Sequence, residues 1–331
     1  RLKAMKLDWI YQPIKEELRK VDETLKITLG EARNKSILAL NRFLLASSGK
    51  RLRPALMIFS SKATSHKEQR AKSEELIKIA SSIELIHMAS LIHDDIIDRA
   101  ERRHNRPTIN SKWGSDVSIA LGDYLYSLAF KLISSCGNTD ILDCISSATK
   151  NMCEGELVQV CERDNFSLLK ERYILIVKKK TASLFAASSE AGAMLASRDP
   201  VVQSALKEYG LNFGIAFQII DDCLDLIGEE RHMGKTPGAD FRMGELTLPL
   251  LNLVAESKDK KRIISLLTRQ NNSEVFEDLR LRFIHSQAFT KTKEDISYYL
   301  KKAKSRLGTL SDSPCKQSLS SLADFIIRRI P

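Results

Sequence analysis

His93-Asp94-Asp95-Ile96-Ile97-Asp98 and, well over a hundred residues later, Gln218-Ile219-Ile220-Asp221-Asp222-Cys223-Leu224-Asp225 carry the pattern Asp-Asp-X-X-Asp twice. Each copy closes a strongly apolar, helix-like run. Carboxylates at the end of a core-facing helix are costly unless a positive partner meets them. Two identical clusters point to one shared partner, and a set of divalent cations fits that role best.

Outward from these clusters, the chain reads as helix throughout. Residues 74–97 are apolar nearly all round (Leu76, Ile77, Ile79, Ile83, Leu85, Ile86, Met88, Leu91, Ile92), which predicts a central, buried helix. Residues 7–29 place Leu7, Ile10, Ile14, Leu18, Val21, Leu25 and Leu29 at steps of three and four. Segments 116–135, 139–161, 167–195, 200–227 and 244–256 behave similarly, and residues 260–331 look like more charged, peripheral helices. Alternating strand patterns are essentially absent. Loop signals fall at 99–108, 228–240 and 270–273, with no linker and no solenoid repeat. The expected fold is all-α: a single large helical bundle, one domain over residues 1–331.

The bulk composition agrees. The 331 residues are 43% hydrophobic and 28% charged, and only 8 prolines and 14 glycines interrupt them. The six cysteines match neither a zinc nor a disulfide spacing and read as reduced thiols. The net charge of +10 is dispersed rather than striped, which argues against nucleic acid and for small anionic ligands. No apolar stretch near twenty residues stands out, so no membrane span is expected. The mixed, charged start carries no signal core, which predicts a cytoplasmic protein.

On a helix, Asp94 and Asp98 lie on one face about 6 Å apart, a spacing that can bracket a hard cation. His87 shares that face. Asp221 and Asp225 repeat the geometry, so two facing helix ends would line opposite walls of one mouth. Magnesium suits it, because it binds through one or two carboxylates plus substrate phosphates and keeps several waters. Ser48-Gly49-Lys50-Arg51-Leu52-Arg53-Pro54 is a compact cationic segment whose Lys50 and Arg53 could clamp a diphosphate. Arg102-Arg103-His104 follows the first cluster closely. Lys179-Lys180-Thr181 sets an ammonium and a hydroxyl in a run fit for the core, and Lys235 lies in a glycine-bearing loop suited to closing over a ligand.

Taken together, Gly49–Pro54, His87, Asp94–Asp98, Arg103, Gly122-Asp123, Lys180-Thr181, Phe217–Asp225, Gly234-Lys235, Asp240, Gly244 and Thr247–Leu250 resemble the trans-polyprenyl diphosphate synthases in order and spacing. The resemblance implies a helical bundle around a deep apolar cavity, usually a homodimer. It implies that isopentenyl diphosphate condenses with an allylic prenyl diphosphate. Metal ligands would be Asp94, Asp98 and Asp221, with Asp225 in support, holding magnesium, up to three ions per site. Gly49, Lys50, Arg53, His87 and His104 would receive isopentenyl diphosphate. Arg103, Lys180, Thr181, Gln218 and Lys235 would hold the allylic diphosphate. Any membrane contact would be peripheral, at product release. No side-chain nucleophile is needed. Loss of diphosphate leaves an allylic cation that the isopentenyl double bond attacks, and apolar helices exclude the water that would quench it. Rival readings are an ionising terpene cyclase, a short-chain synthase and a non-catalytic subunit of a heteromeric synthase.

Two places bear on how this chain differs from its relatives. The family usually has two adjacent arginines after the first cluster, and here the second position is His104, with Arg102 or Arg106 as candidates to compensate. Ala89 and Ser90 are small and sit one helical turn or so above Asp94. Five residues span about 7.5 Å of helix, so Ala89 and Ser90 should leave a product tunnel open, giving thirty carbons or more. Tyr126 and Phe130 are candidates for a deeper floor.

Overall fold

The computed structural model describes residues 7–46, 49–64, 73–103, 105–228, 237–270 and 272–330. These residues are helical almost throughout, as expected. The long helices are α1 (Lys15–Gly30), α2 (Lys35–Leu45), α3 (Leu52–Thr64), α4 (Ser73–Ile97), α5 (Ser115–Ser134), α6 (Thr139–Cys161), α7 (Lys170–Val177), α8 (Ser183–Ala196), α9 (Pro200–Ile227), α10 (Leu248–Glu256), α11 (Lys260–Leu267), α12 (Ser273–Ile284), α13 (Gln287–Arg306) and α14 (Pro314–Ile327). Their starts follow local chemistry. The side chains of Asn34, Asn138, Asp199, Asn272 and Ser313 cap exposed backbone N–H groups, and Pro200 and Pro314 occupy first positions where no N–H is needed.

The centre of the bundle is built from the helices with apolar residues all round. α4 packs on α5, α8 packs on α3 and α9, and α9 packs on α13. One apolar cluster includes residues from Ile10 to Ile330. The expected helix over 7–29 is broken at Gln12–Ile14, a 3-10 turn that begins where Pro13 fixes the backbone. The expected helix over 244–256 begins later, at Leu248, because Gly244 takes a left-handed conformation (φ +71°).

Three further differences matter for the site. Residues 99–108, expected to be loop, contain a two-residue antiparallel ribbon pairing Arg102 with Pro107 and Arg103 with Arg106. The helix expected over 167–195 carries a π-turn at Lys178–Ala182. Two helices, Glu74–Ile97 and Ser115–Ser134, are long and apolar enough to cross a membrane, which corrects the expectation that no such stretch exists. Neither is free of charge, so neither shows as an uninterrupted apolar run. They pack against each other, and the first is mostly buried in the bundle.

Candidate active site

The C-terminal ends of α4 and α9 open on one cavity of about 870 Å³. Asp94 and Asp95 line it from α4, Asp98 from the turn just after it, and Asp221 and Asp222 from α9. The two clusters therefore form two walls of one mouth. Gly49, Lys50, Arg53, His87, Ser90, Arg103, Lys180, Thr181 and Gln218 line it as well. Asp225 and Ala89 are not among the lining residues. Asp225 is buried, and its carboxylate accepts the Asp240 amide at 3.2 Å, tying down the turn that follows α9. Ala89 is fully buried on a face of α4 turned from the cavity. His104, Lys235, Gly234 and Ser48 lie outside the described residues.

Burial and neighbouring charge set the electrostatics of the first wall. Burial pushes the Asp94 carboxyl up to about 7, against the pull of Lys180 and with the help of Glu156 and Asp98. Lys180 donates to Glu156 at 2.5 Å, and against the push of burial Asp94 and Glu156 raise its ammonium above the ordinary value. Asp95 meets Arg103 at 2.8 Å. Asp98 meets Arg163 at 3.3 Å, and Arg163 also holds Glu245 at 2.9 Å. On the second wall, Asp221 meets Arg329 at 2.8 Å. The buried Asp222 accepts from the Tyr173 hydroxyl at 2.5 Å and from Gln218 at 2.7 Å, and burial lifts its carboxyl to about 7.

The π-turn sets the middle of this network. Gly155 of α6 faces it so closely that an added Cβ would lie 2.3 Å from the Lys180 amide nitrogen. That approach lets the flanking Glu154 and Glu156 reach Lys179 and Lys180, each at 2.5 Å. The extra residue of a π-turn shifts the side-chain register. Here Lys180 and Thr181 both turn to the cavity, and Thr181 donates to Gln218 at 2.7 Å.

The cationic segment is fixed by a second network. Arg51 has a left-handed backbone (φ 51°) and bridges Asp22 at 2.9 Å and the buried Glu84 at 2.7 Å. The Tyr11 hydroxyl donates to the Lys50 carbonyl at 2.9 Å. Arg53 is buried, with its guanidinium 4.2 Å from the centre of the Phe185 ring, and burial brings it down to about 10. Burial, then Arg53, pushes the His87 imidazole well below its ordinary value, so it is neutral near pH 7.

Sequence reasoning missed Glu84, Glu156, Arg163, Tyr173, Glu245 and Arg329. Glu156 and Glu245 carry the only available signal, acids in otherwise apolar or loop context. Arg329 lies at the far end of the chain, and nothing local marks it.

The comparisons with known proteins decide the family. A polyprenyl synthetase family model matches residues 34–280. The chain belongs to the polyprenyl synthetase family. It is 31% identical, over 93% of its length and 95% of the relative's, to a short chain isoprenyl diphosphate synthase of Methanothermobacter thermautotrophicus. It is 29% identical, over 88% of its length and 89% of the relative's, to the octaprenyl diphosphate synthase of Escherichia coli. The crystal structure of a Caulobacter crescentus polyprenyl synthase complexed with calcium and isoprenyl diphosphate superposes with a TM-score of 0.92 at 32% identity, covering 99% of both chains. This chain is therefore a trans-prenyltransferase that makes prenyl diphosphates, on the all-α fold of its relatives.

Proposed function

We propose that this prenyltransferase condenses isopentenyl diphosphate head to tail with an allylic prenyl diphosphate, releasing diphosphate and an all-trans product of thirty carbons or more. The observation that carries it is the two-walled mouth, with carboxylates from α4 and α9 facing a segment of cations across one cavity. The carboxylates fit magnesium. Asp94 stays partly protonated near neutral pH because burial and its acidic neighbours outweigh Lys180. Such a cluster has an unmet demand for positive charge. Magnesium takes part of its shell from phosphates and water, so the carboxylates need not complete it. Asp94, Asp98 and Asp221 would hold up to three such ions, which supply neutralising charge to the departing diphosphate when bound. Asp225 belongs to the turn beside them.

The protein's own groups then have defined tasks. Arg103, Lys180, Thr181 and Gln218 orient the allylic diphosphate. Gly49, Lys50, Arg53 and neutral His87 receive isopentenyl diphosphate. Met88, Leu91, Met152, Ile176 and Val177 line the apolar depth and exclude water.

The long product rests on Ser90, the small residue that does line the cavity. Incubation with labelled isopentenyl diphosphate, several allylic primers and magnesium, followed by chain-length analysis, tests the reading. Ser90→Phe should shorten the product, whereas Ala89→Phe would overfill a packed helix face and costs stability instead. Products of twenty carbons or fewer from the unaltered chain would rule out the long-chain reading. Turnover of an allylic diphosphate without isopentenyl diphosphate would point to a cyclase. Activity only on addition of a second protein would point to a heteromeric synthase.

The same reading includes one domain, a cytoplasmic location and a homodimer. Ile119 on α5 and Val160 on α6 are apolar and 50% and 38% exposed, residues that a second copy could cover. Light scattering of the purified chain tests the dimer.

A further inference from the structure

The cations around the cavity divide into two sets. Arg51, Arg103, Lys180 and Arg329 are each bonded to a carboxylate. Lys50, Arg53 and Arg106 line the same cavity, and among the described residues no carboxylate pairs with them. A cation paired with an acid meets a second anion with part of its charge already offset. A cation seated on an aromatic ring is held in place without losing its charge. Arg53 sits on Phe185 at 4.2 Å, and Arg106 sits on Phe43 of α2 at 5.0 Å. Phe43 also lines the cavity, and α2 is the helix that leads towards the Gly49–Arg53 segment.

The ribbon after α4 separates its two strand-one arginines. Residues directly opposite on an antiparallel pair project to the same side. Arg103 pairs with Arg106, so the two share one side of the ribbon, and Arg102 pairs with Pro107; Arg103, Arg106 and Pro107 line the cavity and Arg102 does not. Both inward arginines are half-buried and line the cavity. Arg102 is exposed, and its guanidinium donates to the Asn105 carbonyl at 2.8 Å. Asn105 supplies the left-handed residue (φ 61°) that a turn this tight requires.

We propose that Arg106 is a substrate-binding residue, the third cation of a subsite with Lys50 and Arg53 that takes the diphosphate of isopentenyl diphosphate. It is the position at which this chain supplies the second guanidinium beyond Arg103. Arg102 takes no part. The proposal rests on the condensation reading above and adds to it a residue and a way to tell the two substrates apart.

The test uses the full chain with Arg106→Ala, Arg106→Gln, Arg106→Lys and, as control, Arg102→Ala. Isothermal titration with isopentenyl diphosphate and with inorganic diphosphate measures the subsite directly. Steady-state kinetics with each substrate varied in turn give both KM values. Losing a charge-assisted contact should weaken isopentenyl diphosphate binding roughly ten- to hundredfold in Arg106→Ala and Arg106→Gln. The KM for the allylic substrate and kcat should each stay within about threefold. Arg106→Lys should recover much of the affinity, and Arg102→Ala should match the unaltered chain. Arg106→Gln keeps most of the stem over Phe43, so it reports on charge even where Arg106→Ala loosens the fold. Unchanged isopentenyl diphosphate affinity in the glutamine variant would overturn the proposal, as would an equal rise in both KM values or an equal loss in Arg102→Ala. If the unaltered chain consumes no isopentenyl diphosphate at all, the condensation reading itself fails, a result separate from these.

Discussion

At the end of α4, Asp95 meets Arg103, Asp98 meets Arg163, and Lys180 flanks Asp94; Arg103 and Lys180 line the cavity. At the end of α9 the same sequence pattern is tied more deeply into the scaffold. Asp221 meets Arg329, Asp222 is held by a phenol and a side-chain amide, and Asp225 accepts a backbone amide. The comparison teaches that a repeated motif is not a repeated function. The first wall presents three carboxylates to the cavity, and among the described residues two of them, Asp95 and Asp98, are met by arginines while Asp94 is not. The second presents two, Asp221 bonded to Arg329 and Asp222 held by Tyr173 and Gln218, while Asp225 braces the turn beyond the helix.

The largest expected difference between the walls follows from that division. Asp94→Asn should lower kcat at least about a hundredfold, since it removes charge where the leaving diphosphate is held. It should leave the melting temperature of the metal-free chain unchanged or higher, because a buried carboxylate is replaced by a neutral amide. Asp225→Ala should do the reverse in kind: a loss of roughly 1–3 kcal/mol in stability by urea unfolding, because the half-buried Asp240 amide loses its acceptor. Equal effects of the two substitutions on both readouts would erase the distinction. Tyr173→Phe probes the middle of the second wall. It should cost on the order of 1 kcal/mol, less than Asp225→Ala, with a smaller change in kcat than Asp94→Asn.

The helices were legible because an apolar period of three and four survives any tertiary context, and α4 announced its central place by being apolar all round. The two walls were legible because acids in such runs have few explanations. What could not be read is orientation about a helix that lacks a polar face. Ala89 and Ser90 differ by about 100° around the axis, and in a helix apolar on every side nothing local says which of them meets the cavity. The π-turn was hidden for another reason. Its closest approach is to Gly155, on a different helix, and no residue within 178–182 requires it. Arg163, Glu245 and Arg329 escaped because an ion pair between residues 65 to 108 positions apart (163 − 98 = 65; 329 − 221 = 108) leaves no pattern in one sequence. The ribbon register that separates Arg102 from Arg106 likewise rests on two pairs of residues, too short for an alternating pattern to show.

The smallest effect is one of pH, and its size reports how far Lys180 and Arg103 already meet the charge of Asp94. Folding raises Asp94 and Asp222 to about 7 from 3.8. A group whose pKa is raised by folding contributes stability that is complete below its unfolded pKa and is lost as pH rises through the folded one. The metal-free chain should therefore lose that contribution between about pH 4 and pH 7. Many other groups titrate in the same window, so the measurement is the difference in melting temperature between Asp94→Asn and the unaltered chain. That difference should grow in favour of the variant as pH rises from 5 to 8. Magnesium added with inorganic diphosphate should shrink it, because the ions meet the carboxylate's demand in the unaltered chain alone. A difference that stays flat across this range would mean that Lys180 and Arg103 already satisfy Asp94, and the first wall would then resemble the second.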